Sequence, residues 1–329
     1  MNANVQAAAV GARHAGGLEH FPVALFSMVM GMTGLAIAWH RAHVAFGAPE
    51  LVGQGVRVLS SLLFALLLVL YLAKWVKFPK AAAAEANHPI RVNFLPAISI
   101  DVLLLATAWL QDAPFTASAL WIAGVVLHLV LTLRTFGSWL HHTYYDIKHV
   151  NPAWFIPVVG NIVVPLAGVK IASPEVSWFF FSIGIVFWFV LLTIVMNRLF
   201  FHEPLPVKLL PTMFILLAPP SVGFLSWIGL TGHLDAFGRV LYYAALFMAL
   251  LLFSNAPRFL RLPFFVSSWA YSFPLAAFTI ATITMYDHIG GRLLAACSMG
   301  LLALLSIVVV LLVVRTGVAA VRGQVCVSE

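Results

Sequence analysis

The chain has 329 residues, of which 62% are hydrophobic and 9% are charged, and its mean hydropathy is +1.01. Soluble domains carry about a quarter charged residues, so the composition predicts an integral membrane protein and leaves no room for a sizeable soluble domain. The net charge of +7 comes from Lys and Arg scattered between apolar runs, a distribution that argues against nucleic-acid binding and is typical of loops that orient a membrane protein.

Ten apolar segments follow one another, each long enough to cross a bilayer as a helix. They are Phe21–Trp39, Val56–Trp75, Val92–Gln111, Thr116–Trp139, Pro152–Val169, Val176–Asn197, Leu209–Thr231, Val240–Asn255, Leu262–Tyr286 and Leu293–Val314. The sequence therefore predicts an all-α membrane domain over residues 21–315, with a flexible tail at residues 1–20 and a second tail at residues 316–329.

The Lys and Arg residues predict the orientation of the chain. Thirteen of them lie in the tails and in the loops that follow even-numbered segments. The five on the opposite side are Arg41, Arg57, Lys170, Arg239 and Arg292. Because basic residues accumulate on the cytoplasmic side of membrane proteins, we expect both tails in the cytoplasm and the protein in the plasma membrane.

Prolines distinguish the odd-numbered segments from the even-numbered ones, whose interiors contain none. The odd segments carry Pro22, Pro96, Pro157, Pro219, Pro220 and Pro274. An interior proline removes a backbone hydrogen bond and bends a helix, and a free carbonyl facing lipid is costly. We therefore predict five helical hairpins in a quasi-five-fold arrangement, with the bent helices inside around a central pore and small residues such as Gly160 along them.

Phe273 stands directly before Pro274, with Ala270 and Ala277 at helical spacings on the same face. One large ring among small residues at a bend can face lipid, fill the core or plug a pore. The residues alone leave these three alternatives open.

Asp101 lies well inside the third segment, where an ionisable group is costly and marks a candidate functional site. It is either a structural carboxyl, hydrogen-bonded or paired with His40 or His128, or a proton-linked carboxyl of a carrier.

Basic residues at the ends of the segments would attract anions to the cytoplasmic mouth over about 8 Å at physiological salt. These candidates are Arg91, Lys148, Arg258 and Arg261. Each is also explained by the topology of the chain alone.

Histidines do not form a metal or haem motif. His141, His142, Asp146 and His149 share one loop, but no matching histidine pair and no HExxH motif accompany them. The chain also lacks a phosphate loop, a nucleophile elbow and paired carboxylates, so we expect no cofactor, no metal and no enzymatic activity.

Three runs carry a family resemblance: His88–Phe94, Tyr145–Asn161 and Trp269–Pro274. They resemble the tellurite-resistance/dicarboxylate transporter family, which includes bacterial tellurite-resistance protein A, fungal malate and sulfite exporters and the plant slow-type guard-cell anion channel. The resemblance implies five hairpins around a pore, a homotrimer with one pore per subunit, and anion conduction. It also implies a phenylalanine gate in the ninth helix, at Phe273 or, as the alternative, Phe278.

The sequence therefore predicts a channel for small inorganic or carboxylate anions. The alternative is a proton-coupled or facilitative exporter of dicarboxylate, sulfite or tellurite-type oxyanions. A membrane redox or haem protein is a third class, which the placement of the histidines disfavours.

Overall fold

The computed structural model describes residues 17–141 and 145–326, and within these ranges the chain is helical without a β-strand. In these two ranges, ten helical spans are long and apolar enough to cross a membrane. They are Val23–Phe46, Glu50–Lys77, Arg91–Trp109, Pro114–His141, Pro152–Ile171, Pro174–Phe201, Val207–Thr231, Ala236–Ser254, Val266–Ile289 and Arg292–Val321. They are called the first to tenth spans below, and they confirm the predicted all-α membrane fold.

Several spans extend beyond the apolar segments predicted for them. The second span begins at Glu50 rather than Val56, and the tenth continues to Val321, past the predicted boundary at residue 315. A helix of 28 residues is about 42 Å long, whereas the hydrocarbon core is about 30 Å thick. The polar ends of such helices therefore extend into the interface, where hydropathy no longer marks them.

Odd and even spans occupy different layers. Of the residues in the apolar stretch of each odd span, 61–78% are buried, compared with 22–33% in each even span. Consecutive spans pair into five hairpins, and each odd span contacts the next odd span, with the ninth returning to the first. The odd spans therefore form a closed inner ring of parallel helices, and the even spans surround it with apolar surfaces exposed.

The inner spans are not single α-helices. All five begin as 3-10 helices, which are Val23–Phe26, Arg91–Phe94, Pro152–Trp154, Val207–Leu217 and Val266–Tyr271. Four spans then become α-helical, and the fifth span alternates between the two forms. An inner proline mostly lies where a new α-segment starts: Pro96 precedes Ala97–Trp109, and Pro274 is the third residue of Ser272–Ile289. A proline in the first turn of a helix has no intrahelical hydrogen bond to remove.

The predicted mid-helix kinks therefore become junctions between helix types. Pro22 is the one that departs most from the prediction, because it lies before the first helical turn of its span, in extended backbone. Pro211, which the sequence reading did not single out, lies inside the 3-10 segment of the seventh span.

A buried ion pair holds the start of the first span. Lys74 and Glu85 are 2.8 Å apart, and each side chain is only 3% exposed. Glu85 accepts a hydrogen bond from the backbone N–H of Val23 at 2.9 Å, and Lys74 donates to the carbonyl of Phe21 at 2.8 Å. The pair thus ties the end of the second span, the short helix Pro79–Ala86 and the first span together.

Candidate functional site: a cavity inside the ring

A cavity lies inside the ring and is lined by residues from all five inner spans. Met30, Ile100, Val159, Val222 and Phe273 represent the five spans in its wall. No Asp, Glu, Lys or Arg side chain lines it in the described part of the chain, and its lining side chains are almost all apolar. Its residues come from the first halves of most inner spans, so it lies in the half of the ring where the inner spans begin.

Phe273 lies at this cavity and is only partly buried. Phe278, the other phenylalanine considered for a gate, is 3% exposed and stacks on Tyr242 of the eighth span, with ring centroids 6.3 Å apart. Phe278 therefore packs toward the outer layer, and of these two rings Phe273 is the one that lines the cavity.

Glycines of the first span allow the ninth span to approach closely at this level. A Cβ atom on Gly31 would lie 2.0 Å from Ser272 Oγ, and one on Gly34 would lie 2.8 Å from Ala276 Cβ. Such separations are too short for real side chains, so the contact between these two spans depends on glycine at both positions. This contact fixes the backbone that carries Phe273.

The structure brings only some of the predicted lining residues to the cavity. Gly160, Pro219, Ala270 and Pro274 line it together with Phe273. The cavity wall does not include Pro22, Pro96, Pro157, Pro220 or Ala277, of which all but Pro22 are buried among neighbouring helices.

The four basic residues predicted at the mouth stand at the same end of the ring as the cavity, outside its wall. Arg91 begins the third span, Lys148 precedes the fifth, and Arg258 and Arg261 precede the ninth, both exposed. Lys148 Nζ lies 3.3 Å from Asp146 Oδ2. The hydrogen bond from the Lys148 side chain lowers the pKa of Asp146 from its ordinary value, so this carboxylate partly offsets the charge of Lys148.

Asp101 is fully buried, and neither of its carboxylate oxygens has a hydrogen-bond partner among the described residues. Of the two alternatives for Asp101, the one in which it is hydrogen-bonded or paired with His40 or His128 is not seen in the described structure. His128 instead contacts Ser99, with Nδ1 2.9 Å from Oγ. The Ser99 hydroxyl donates to the carbonyl of Pro96 at 2.8 Å, so His128 Nδ1 is the donor in the contact between them.

Histidines in the described ranges form no group of three or more potential metal ligands with Cys, Asp or Glu. His142, which the sequence reading placed in a cluster with His141 and His149, lies outside those ranges. His149 has a local role, since its Nδ1 accepts a hydrogen bond from the backbone N–H of Asp146 at 3.1 Å.

Sequence reasoning missed the Lys74–Glu85 pair. Both residues looked like ordinary surface charges near the end of an apolar segment, and a break in the helix at Phe78 separates them. The signal that could have found them is weak: a lone Glu in the alanine-rich stretch that follows the second segment.

Ten spans arranged as an inner and an outer ring, with an apolar cavity inside the inner one, define a multi-pass α-helical membrane protein of the channel or transporter class. A family model described as "Voltage-dependent anion channel", SLAC1, matches residues 20–317. The chain therefore belongs to the SLAC1 family of anion channels and transporters.

Individual relatives come from plants and bacteria. The chain is 31% identical over 309 residues to the S-type anion channel SLAH3 of Arabidopsis thaliana, which covers 91% of this chain and 48% of the relative. It is 26% identical to the guard cell S-type anion channel SLAC1 of the same plant, in an alignment that covers 83% of this chain and 51% of the relative. It is 24% identical to the tellurite resistance protein TehA homolog of Haemophilus influenzae, covering 92% of each chain. The chain thus spans about half the length of these plant relatives.

Proposed function

We propose that this protein is an anion channel whose pore runs through the ring of inner spans and is closed by the Phe273 ring. The observation that carries the proposal is the cavity lined by all five inner spans with Phe273 in its wall. Membership of an anion-conducting family gives the class of substrate. The substrates proposed are small inorganic or carboxylate anions.

The electrostatics of the ring favour anions over cations. The cavity wall contains no carboxylate among the described residues. The five inner helices run parallel, so the positive ends of their dipoles lie on the side of the ring that holds the cavity. A narrow apolar passage with a ring in it blocks ions by occlusion and by excluding water. Together these features describe a closed pore with a field suited to anions.

We also propose the mouth, the orientation and the assembly of this pore. Arg91, Lys148, Arg258 and Arg261 would concentrate anions at the mouth next to the cavity. By the distribution of basic residues this mouth is cytoplasmic, as are both termini, in the plasma membrane. Assembly as a homotrimer with one pore per subunit is the arrangement that the family resemblance implies.

The decisive experiment is a measurement of ion selectivity. Purified protein is reconstituted into planar bilayers, and the reversal potential is measured across gradients of potassium chloride, potassium nitrate and potassium malate. We expect a reversal potential that follows the anion gradient and changes when the anion, not the cation, is exchanged. A reversal potential set by potassium would overturn the proposal.

A second candidate is a proton-coupled exporter of dicarboxylate, sulfite or tellurite-type oxyanions. The observation in its favour is Asp101, a buried carboxyl without a partner in the described structure, since intramembrane carboxyls mark proton relays. Under this alternative a pH gradient shifts the reversal potential, and Asp101→Asn abolishes that shift. A channel shows no shift in either protein.

A further inference from the structure

A second cavity lies at the opposite end of the ring. It is formed by the far ends of the first, third and fifth spans and by the start of the second. Its wall is more polar than that of the first cavity and includes the charged side chains of Arg41, Arg57, Lys170, Glu50 and Asp112. The proposed gate residue Phe273 lines the first cavity only.

Basic residues are concentrated here against the general trend of the chain. Only five Lys and Arg residues were predicted on this side of the membrane, and three of them, Arg41, Arg57 and Lys170, line this one cavity. His40 adds a half-buried imidazole. Basic residues are disfavoured on the non-cytoplasmic side of membrane proteins, so topology does not account for this cluster.

Both carboxylates of the cavity wall are already engaged. Asp112 is ion-paired with Arg57, and Glu50 accepts a hydrogen bond from Gln54 at 2.9 Å and faces His43 at 3.8 Å. Outside the wall, Asp287 binds Arg41 at 2.7 Å. Asp112 and Asp287 therefore already offset the charges of Arg57 and Arg41, whereas Lys170 has no carboxylate partner among the described residues.

Three donors remain without a partner among the described residues. Lys170 makes no ion pair or hydrogen bond there, and neither does His40. Nε of Arg57 is buried without a hydrogen-bond partner, while the guanidinium lies 4.1 Å from the centre of the Trp109 ring. Because Nε of Arg57 is buried, the donors that an anion in the cavity can reach are the exposed ammonium of Lys170 and the half-buried imidazole of His40.

We propose that this cavity is an anion-binding vestibule, which takes a small inorganic anion of the nitrate or halide type between Lys170, His40 and Arg57. The inference rests on the proposed function, to which it adds a loading site at the end of the pore opposite the apolar cavity. The competing explanation is that Lys170, in the last turn of its helix, only offsets the negative end of that helix dipole.

Lysine labelling tests the binding without requiring conduction. The chain has six lysines, and the acylation rate of each is followed by mass spectrometry on purified full-length protein in sodium nitrate or in sodium gluconate at equal ionic strength. We expect nitrate to slow acylation of Lys170 about threefold, the effect of one close charge, and His40→Gln to reduce that protection. Exposed Lys80, at the other end of the molecule, is the internal control. Equal rates for Lys170 in the two salts would overturn the proposal.

Conductance separates this inference from the proposed function. At low nitrate concentration, Lys170→Gln should lower the current carried by nitrate entering from one side of the bilayer about twofold, and Lys170→Arg should restore it. Lys80→Gln should leave the current from that side unchanged. Selective anion currents together with an unaffected Lys170→Gln variant would overturn the vestibule and retain the channel, whereas Lys170 protection without anion current would overturn the channel alone.

Discussion

Gly34 of the first span lies against the ring of Phe273 in the ninth: a Cβ atom added to Gly34 would stand 3.6 Å from Phe273 Cδ2. The ring therefore borders a backbone without a side chain on one side and the cavity on the other. It is anchored through its own helix, and no neighbouring side chain from the first span holds it at Gly34.

Replacing Phe273 by Ala should open the pore. Removing a barrier of only ~1.4 kcal/mol multiplies a rate by about ten, so we expect single-channel activity or macroscopic anion current to rise at least about tenfold. The measurement is current in planar bilayers at matched protein density. Phe278→Leu is the control, because that ring packs on Tyr242 away from the cavity. Equal currents in Phe273→Ala and the wild type, with both folded, would remove the gating role.

The sequence was sufficient to predict the number of spans, their order and which of them lie inside. These features depend on local signals: charge-free length, and prolines confined to alternate segments. It was insufficient for the wall of the cavity. In a 3-10 helix residues i and i+3 are aligned, so Ala270 and Phe273 share the wall across the junction at Tyr271. Ala277 lies one turn further along the α-helical part, where neighbouring helices bury it and it does not reach the cavity wall.

The Lys74–Glu85 pair shows the other limit of sequence reasoning. The two residues are eleven positions apart on either side of a helix break, so no helical spacing relates them. Their contacts with Phe21 and Val23 depend on how a third segment packs. Hydropathy and periodicity describe one helix at a time and therefore cannot predict a contact among three chain segments.

Gly31→Ala should destabilise the protein because its Cβ would lie 2.0 Å from Ser272 Oγ and 2.5 Å from Ser272 Cβ. Overpacking of this kind costs about 1–3 kcal/mol or more, which should lower the thermal unfolding temperature in detergent. Adding Ser272→Gly removes the clashing atoms and should restore much of the stability. Gly55→Ala, where an added Cβ meets nothing within 4 Å, is the matched control. A Gly31→Ala protein as stable as the Gly55→Ala protein would contradict the predicted close contact of the two spans.

Glu85→Gln should destabilise the start of the first span. It leaves the ammonium of Lys74 buried without its charge partner, and breaking a buried pair costs about 3–5 kcal/mol. Replacing both partners, as in Lys74→Met/Glu85→Gln, removes the buried charge and should cost less than Glu85→Gln alone. Thermal unfolding of the three proteins in the same detergent provides the comparison. The prediction fails if the double variant is the least stable of the three.

Asp146→Asn should strengthen anion entry at the mouth that Lys148 borders. The carboxylate lies 3.3 Å from Lys148 Nζ, so its removal frees one positive charge, and we expect about a twofold larger current for anions entering from that side at low salt. Because the hydrogen bond from Lys148 lowers the pKa of Asp146 below its ordinary value, the carboxylate stays ionised at neutral pH. The difference between the two proteins should therefore be the same at pH 6 and pH 8, and it should shrink only as the pH falls through the lowered pKa and the wild type also loses the charge. A Lys148→Gln variant should change the current in the opposite direction, and no change in either variant would show that this loop lies outside the path of the anions.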